Sequence, residues 1–356
     1  MIGLDIGTNL IKVVELSESS DGKIKLVNIG REEISTENAE ELEPEKKLEV
    51  TKSAIKRLFA ARDFKSKKVA VSLAGDEIVI RYVKFPHMSK EELKSAIKYE
   101  AEQYIPFNID EVVLDFQILG EETVGTEKKL DCILIAVKEI AVSKMIKLVE
   151  SVGLEPSVID CDVFAIQNAY ETNYGVKENE TVALINIGAK ITSLNIFEDG
   201  ITRFTRDIPF GGNIFTKDIS REFKIDFISS EKLKRESAEI IIESEEVELT
   251  RIPDKEDKSF KVYESIISDA NKLVAEVRRS FDFYEAQTKK RIVSKVFLSG
   301  GGSMIKNLDK FFTEKLKVAV EYHDPFIKAG DKVDVAPIFT VGFGLAIRGI
   351  KSHHPK

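Results

Sequence analysis

The chain has 356 residues, enough for more than one hydrophobic core, so two or three domains are expected. Lysine and arginine number 53 against 61 acidic residues, a net charge of −8 that argues against nucleic acid as the main partner. No run approaches the ~20 apolar residues of a membrane-spanning helix. The chain enters a strand without the basic and apolar regions of a signal peptide. Cys132 and Cys161 lie in apolar runs without metal-ligand spacing and read as buried free thiols. A cytoplasmic protein is expected.

Residues 2–16 read as strand, polar turn, strand, with Asp5-Ile-Gly-Thr-Asn9 in the bend. Gly7 lets backbone N–H groups approach an anion, and Thr8 and Asn9 add small donors. Asp5 can hold a hydrated divalent ion, and Lys12 can aim its ammonium at the same place. These residues suit a phosphate tail with its metal; an ordinary hairpin carrying Asp and Gly is the alternative. Residues 23–33 continue the sheet, 35–47 read as an acidic irregular connection, and Leu48, Ile55, Leu58 and Phe59 fall on one face of a helix. Strands follow at 68–74 and 78–85.

Pro86 is expected to open a separate unit. Ser89 and Glu92 form a capping box, and Leu93, Ile97, Ala101 and Tyr104 make the stripe of a helix that Pro106 ends. Strands at 112–119 and 130–137 flank an exposed loop at 120–129. A helix over 139–152 stops at Gly153, and 158–160 returns as a strand. This module of about 75 residues is large enough for a small core of its own.

A helix over 162–174 leads to a second strand, glycine bend and strand at 181–197, centred on Gly188. Such spaced self-similarity points to two related halves facing each other across a cleft. A strand at 201–208 precedes Gly211 and Gly212 and a helix with Ile214, Phe215 and Ile219. Ser230 to Lys234 opens another helix, 243–258 is a charged loop, and 263–287 is a long helix. The strand at 296–298 runs into Ser299-Gly-Gly-Gly302, the geometry in which backbone meets phosphate or ribose at a helix start. Residues 337–348 read as a helix in which Gly342 and Gly344 permit close packing.

The two bends and the triple glycine, in this order, resemble the phosphate-one, phosphate-two and adenosine motifs of the actin and sugar-kinase superfamily. Further stretches resemble the FtsA and above all the PilM families: Glu100-Ala-Glu-Gln-Tyr-Ile-Pro-Phe107, Gly153-Leu-Glu-Pro, Phe210-Gly-Gly212, Arg279-Ser-Phe-Asp-Phe-Tyr and Val341-Gly-Phe-Gly-Leu-Ala-Ile-Arg348. The resemblance implies an α/β, actin-like (ribonuclease H-like) two-lobed nucleotide-binding fold with an inserted FtsA/PilM-type subdomain. The expected division is a first lobe of 1–85, 161–180 and 337–356, an insert of 86–160, and a second lobe of 181–336 with a small subdomain at 224–283. Unlike FtsA, the chain ends at Lys351-Ser-His-His-Pro-Lys356 without an amphipathic helix, which favours the PilM-like reading.

The resemblance also implies the site and its ligands, ATP and Mg2+. Asp5 would orient magnesium through water, Gly7, Thr8 and Asn9 would donate to the phosphates, and Lys12 would neutralise them. Gly188, Ala189 and Lys190 would clasp the phosphates from the other side, near Thr192. The superfamily commonly has Asp where this chain has Asn186, and an amide neither accepts a proton nor adds charge to magnesium. At most slow ATP hydrolysis is therefore expected. Asp162 matches the position that orients the attacking water, or it caps its helix. Glu231 and Lys234 match an element contacting ribose and adenine, or form a surface ion pair. Gly300, Gly301 and Gly302, with Gly211, Gly212 and Met304, complete the nucleotide set. The implied partner is the N-terminal cytoplasmic tail of a PilN-like inner-membrane protein, in a groove between core and insert. Tyr104 and Phe107 would line that groove or simply fill the insert's core. Such a partner would make this a cytoplasmic ATP-binding scaffold of type IV pilus assembly, peripheral to the inner membrane; an FtsA-like filament protein and a small-molecule kinase are the alternatives.

Overall fold

The computed structural model describes residues 1–34, 42–124, 127–242, 257–288 and 291–353. The chain opens with three antiparallel strands, β1 (Ile2–Ile6), β2 (Leu10–Glu18) and β3 (Ile24–Glu33). In β1 every residue from Ile2 to Asp5 is buried, as in a central strand covered on both faces. Helix α1 (Pro44–Ala61) turns Thr51, Ala54, Ile55 and Leu58 inward. Leu48, expected on that stripe, is instead 41 % exposed. Pro44 at the helix start is pre-set for helical φ, so the helix begins inside the stretch read as irregular; residues 35–41 of that stretch lie outside the described residues. Strand β4 (Lys68–Leu73) then pairs parallel with β1.

Strand β5 (Ile78–Pro86), helix α2 (Lys90–Ala101), β6 (Val112–Val124) and β7 (Glu127–Lys138) make the inserted unit, a three-stranded sheet in the order β5-β7-β6. Phe85, Leu93, Ile97 and Leu134 form its core. The capping box of Ser89 and Glu92 opens α2 as expected. The stretch read as an exposed loop is mostly ladder, because pairing continues as far as Val124 and Glu127 and satisfies the backbone polar groups; residues 125–126 lie outside the described residues.

The unit's limits also differ from expectation. β5 belongs to the small sheet, not to the first lobe, and Pro86 sits at the end of an edge strand, where its missing N–H costs no ladder bond. Helix α3 (Glu139–Ser151) and strand β8 (Glu155–Cys161) return to the first lobe. There β8 pairs parallel with β4, and Leu148 and Val149 join the core around Ile2 and Val71.

Helix α4 (Asp162–Tyr174) crosses to the second lobe. That lobe comprises β9 (Thr181–Ile187), β10 (Thr192–Glu198), β11 (Ile201–Ile208), α5 (Gly212–Phe223), α6 (Phe227–Ser237), α7 (Lys258–Gln287), β12 (Lys295–Ser299), α8 (Leu308–Leu316) and β13 (Ala319–Tyr322). Its sheet order, β11-β10-β9-β12-β13, repeats the first lobe's β3-β2-β1-β4-β8 strand for strand. Each has two antiparallel links followed by two parallel ones. Asp226 and Asp257 cap α6 and α7, so both helices start earlier than expected; residues 243–256 lie outside the described residues. The helices read as a subdomain at 224–283 have no separate core, since Leu233, Val262 and Ile266 pack in one cluster with Ala183 and Leu298 of the sheet.

The chain ends its described course in α9 (Thr340–His353), which lies with α4 between the lobes. Ala165, Ile166 and Tyr170 of α4, Val341 and Leu345 of α9, Ala70 of β4, and Leu184 and Phe297 of the second sheet share one cluster. Backbones touch here. A methyl group on Gly344 would lie 1.7 Å from the Ala165 carbonyl oxygen, and one on Gly3 would lie 1.8 Å from that of Gly342. Since backbone cannot step aside as a side-chain tip can, Gly344→Ala should cost about 3 kcal/mol or more in chemical denaturation. A denaturation midpoint equal to wild type would contradict this packing.

Candidate nucleotide site

The two bends read from the sequence are the same structure. The Gly7 N–H donates to the Leu10 carbonyl at 3.2 Å and the Gly188 N–H donates to that of Ile191 at 2.9 Å. A methyl group on either glycine would stand 2.9 Å from that same carbonyl oxygen, so a side chain would break the bend. The bends are joined through the start of α5. Asn9 Nδ2 donates to Asn213 Oδ1 at 2.7 Å across the lobes. The Gly212 and Asn213 N–H groups donate to the Gly188 and Ala189 carbonyls at 2.8 and 2.9 Å. The first bend, the start of α5 and the second bend are thus tied into one place.

Charge is concentrated on the first-lobe side. Asp5 and Lys12 stand opposite each other in the β1–β2 register, with Lys12 Nζ 2.6 Å from Asp5 Oδ2 and the two side chains only 8 and 15 % exposed. Asn9 Oδ1 is buried without a partner, an acceptor suited to a metal-bound water or a hydroxyl. Asp162 is the first residue of α4, behind Cys161 at the cap position, and its carboxylate accepts from Ser72 Oγ at 2.5 Å. The capping reading of Asp162 is therefore not how its side chain is used. Burial pushes the Asp162 carboxyl up to about 7, and the Asp5 carboxylate adds to the rise against the Ser72 bond and Lys12.

Two carboxylates in one desolvated corner suit a divalent cation. Among the described residues no group of three or more His, Cys, Asp or Glu is placed to hold a metal directly. The donor set fits a cation held through water.

The second-lobe residues divide by what they touch. Asn186 Oδ1 accepts from Ser299 Oγ at 3.3 Å in the adjoining strand. Lys190 is exposed on the bend. Thr192 is fully buried with its hydroxyl donating to the Phe210 carbonyl at 2.7 Å, which takes it away from the cleft. Gly300, at φ +85°, and Gly302 approach the Ile187 backbone and side chain so closely that methyl groups there would lie 2.4 and 2.5 Å from Ile187 atoms. These two glycines are required by the protein's own packing, whereas Gly301 faces open space. Met304, ending that turn, is 39 % exposed.

Glu231 and Lys234 are not a surface pair. Lys234 Nζ lies 2.6 Å from Glu231 Oε2 and donates to Thr216 Oγ1 at 2.7 Å and the Gly212 carbonyl at 2.9 Å, so all its donors are engaged. Burial lowers the Lys234 pKa against the pull of Glu231. For Glu231 burial acts upward, but Lys234, Thr216 and Arg235 outweigh it and lower the carboxyl. Lys234 is thereby a strut beneath the α5 N-terminus. Arg235 extends the same helix face across the cleft mouth to Glu33 of β3, at 2.6 Å.

Tyr104 and Phe107 are half-buried against the insert's core, Tyr104 edge-on to Phe85 and Phe107 beneath Lys138 Nζ. Sequence reading missed Ser72, Asn213 and Thr216. Asn213, a small polar residue directly after Gly211-Gly212, carried a usable signal; Ser72, within a strand's alternation, carried none.

Repeated sheets, facing bends and two helices crossing between them define an actin-like protein with an inserted α/β unit. A family model described as type IV pilus assembly protein PilM matches residues 3–350, and the chain belongs to that family. It is similar to the solved PilM-PilN type IV pilus biogenesis complex, with TM-score 0.80, 26 % identity and 98 % of each chain covered. It is also similar to the cell division protein FtsA of Buchnera aphidicola subsp. Schizaphis graminum (strain Sg), 25 % identical over 90 % of this chain and 84 % of that protein. The crystal structure of MreB 5 of Spiroplasma citri bound to AMPPNP, at TM-score 0.54, 14 % identity and coverage of 99 and 97 %, shares the fold.

The raised Asp162 pKa sets the sign of a pH dependence. An acid whose folded pKa exceeds its unfolded value loses stabilising influence as pH rises from about 4 to about 7, because folding then opposes ionisation. Without nucleotide or metal, Asp162→Asn should therefore gain thermal stability relative to wild type across that window. Parallel melting curves from pH 4.5 to 8 would remove Asp162 from this desolvated corner.

Proposed function

We propose that this protein binds Mg·ATP between its two glycine bends and serves type IV pilus assembly as a scaffold. On this reading it docks the N-terminal cytoplasmic tail of a PilN-like inner-membrane protein. The observation that carries the reading is the tie between the bends through the start of α5, Asn9 to Asn213 and Asn213 to Ala189, beside the Asp5–Lys12 pair. Gly7, Thr8 and Asn9 would face the phosphates from one lobe, with Gly188, Ala189 and Lys190 opposite them. Gly211 and Gly212 open α5 at the same place. Asp5 and Asp162 would hold the cation through water. Gly301, with Glu231 and Met304, would face the nucleoside.

Bound magnesium would supply charge neutralisation to the phosphates. Lys12 would exchange part of its bond to Asp5 for a phosphate oxygen, and a charge-assisted contact of that kind is worth about 1.5–3 kcal/mol. Turnover is expected to be slow. Asn186 offers no proton acceptor, and burial raises the Asp162 carboxyl and so favours its protonated form until a cation shares the corner.

The tail would dock between the first lobe and the insert, with α2 and residues 105–107 along the wall. Tyr99 of α2, 81 % exposed, supports a contact surface there. No helix among the described residues is long and apolar enough to cross a membrane, so attachment to the inner membrane would come through the partner.

In calorimetric titration with Mg·ATP, Lys12→Ala should weaken binding by about tenfold or more and Thr8→Ala by less. Equal affinities in folded variants would count against the site. A synthetic PilN tail should bind the wild-type protein and lose affinity when α2 is altered at Tyr99; absence of binding with and without nucleotide would reject the scaffold role.

A further inference from the structure

The inserted unit touches both lobes. It is continuous with the first lobe at Gly75, between β4 and β5, and at the junction of β7 with α3. It also touches β11, the edge strand of the second sheet. Three residues of β11, each two apart and so on one face of the strand, meet the insert and its hinge. Arg203 Nη1 lies 3.0 Å from Asp131 of β7. Thr205 stands against the Tyr82 hydroxyl of β5. Asp207 Oδ2 accepts the Gly75 N–H at 3.1 Å. The other face of β11 is held by α7, through Arg206 on Glu276 and Phe204 against Phe283.

Asp207 also bonds the strand that leaves the second glycine bend. Its Oδ1 accepts from Ser193 Oγ at 2.7 Å, and Ser193 lies two residues after Ile191, whose carbonyl closes the bend on Gly188. The Ile191 Cδ1 comes within 4.0 Å of where a methyl on Gly75 would stand, and Gly75, at φ +78°, adopts a backbone that favours glycine. One side of the hinge therefore senses the bend through both a carboxylate and a side-chain contact.

We propose that these three contacts form a latch that couples occupancy of the nucleotide cleft to the tail groove, an inference that rests on the function proposed above. Movement of the second bend shifts Asp207 and Ile191 against the hinge at Gly75, while Arg203 and Asp131 hold the body of the insert to the same strand. The angle of the insert to the first lobe, and with it the groove, then follows the second lobe. The latch can open without stranding a cation. Arg203 has Glu198 at 3.9 Å as a second carboxylate, and Asp131, at 24 % side-chain exposure, already reaches water. Coupling of this kind is reciprocal, so the tail must change ATP affinity by the factor that ATP changes tail affinity.

The test is a four-way titration of Mg·ATP and a synthetic PilN tail peptide, each alone and in the presence of the other. Wild type should show coupling of about fivefold or more. The Asp131→Ala, Asp207→Ala double variant should reduce it below about twofold, within the range of an uncoupled pair, while still binding each ligand on its own. Asp131→Glu, which keeps a carboxylate for Arg203, should retain it. Binding of both ligands to wild type without coupling, or coupling that survives in the double variant, overturns the latch alone. Failure of wild type to bind either ligand overturns the functional reading, and the latch with it.

Discussion

The backbone contact between α4 and α9 governs the rest of the molecule. With the Ala165 carbonyl against Gly344 and the Gly342 carbonyl against Gly3, two crossing helices and the first strand pack without side chains between them. Such a joint has no room to slide, because each step sideways would drive one main chain into another. The lobes keep a fixed pairing of sheet to sheet, and the cluster of Ala70, Ile166, Leu184, Phe297 and Leu345 makes that pairing a single core. The separation of the two bends follows from this joint.

Duplication of the sheet explains why the bends match in detail yet carry different chemistry. In both, the bend connects the central strand to its antiparallel neighbour, and in both a glycine N–H closes on the carbonyl three residues on. The first adds Asp5 and Lys12 as a buried ion pair; the second has Asn186 and an exposed Lys190. Charge is therefore asymmetric across the cleft, while geometry is symmetric. The Glu231–Lys234 pair sits behind α5 and satisfies the Gly212 carbonyl and the Thr216 hydroxyl. Removing one member of such a pair leaves a buried charge, so its retention is explained by what it supports at the helix start.

What could be read from the sequence followed from how local the cause was. The bends, the capping box at Ser89 and the close-packing glycines of α9 were legible because main-chain approach dictates the residue at the very position where it acts. Sheet membership was not legible. The alternation of β5 is the same whether it borders β4 or β7, and only the tertiary partner decides. The polar stretch after Gly120 looked like a loop because both strands of that hairpin carry charged residues at its far end. Ser72 and Asn213 act through partners about 90 and 200 residues away; the glycine pair before Asn213 marks its place at a helix start, whereas a lone serine in a strand advertises no such partner.

The departure at Asn186 bears on why a cleft of this kind would be kept. On the proposed reading, a carboxylate there would help a cation and a water toward cleavage, and its replacement by an amide bonded to Ser299 removes that help while leaving the bend's geometry intact. Asp162, held by Ser72 and raised by burial beside Asp5, ionises more readily when something positive shares the corner. A site with sound geometry and weak bases favours a long-lived bound state. Such a state is informative only if its presence alters another surface. In this fold the strand leaving the second bend, β10, pairs along its length with β11, the strand the inserted unit touches, so on that proposal the sheet itself would carry occupancy outward.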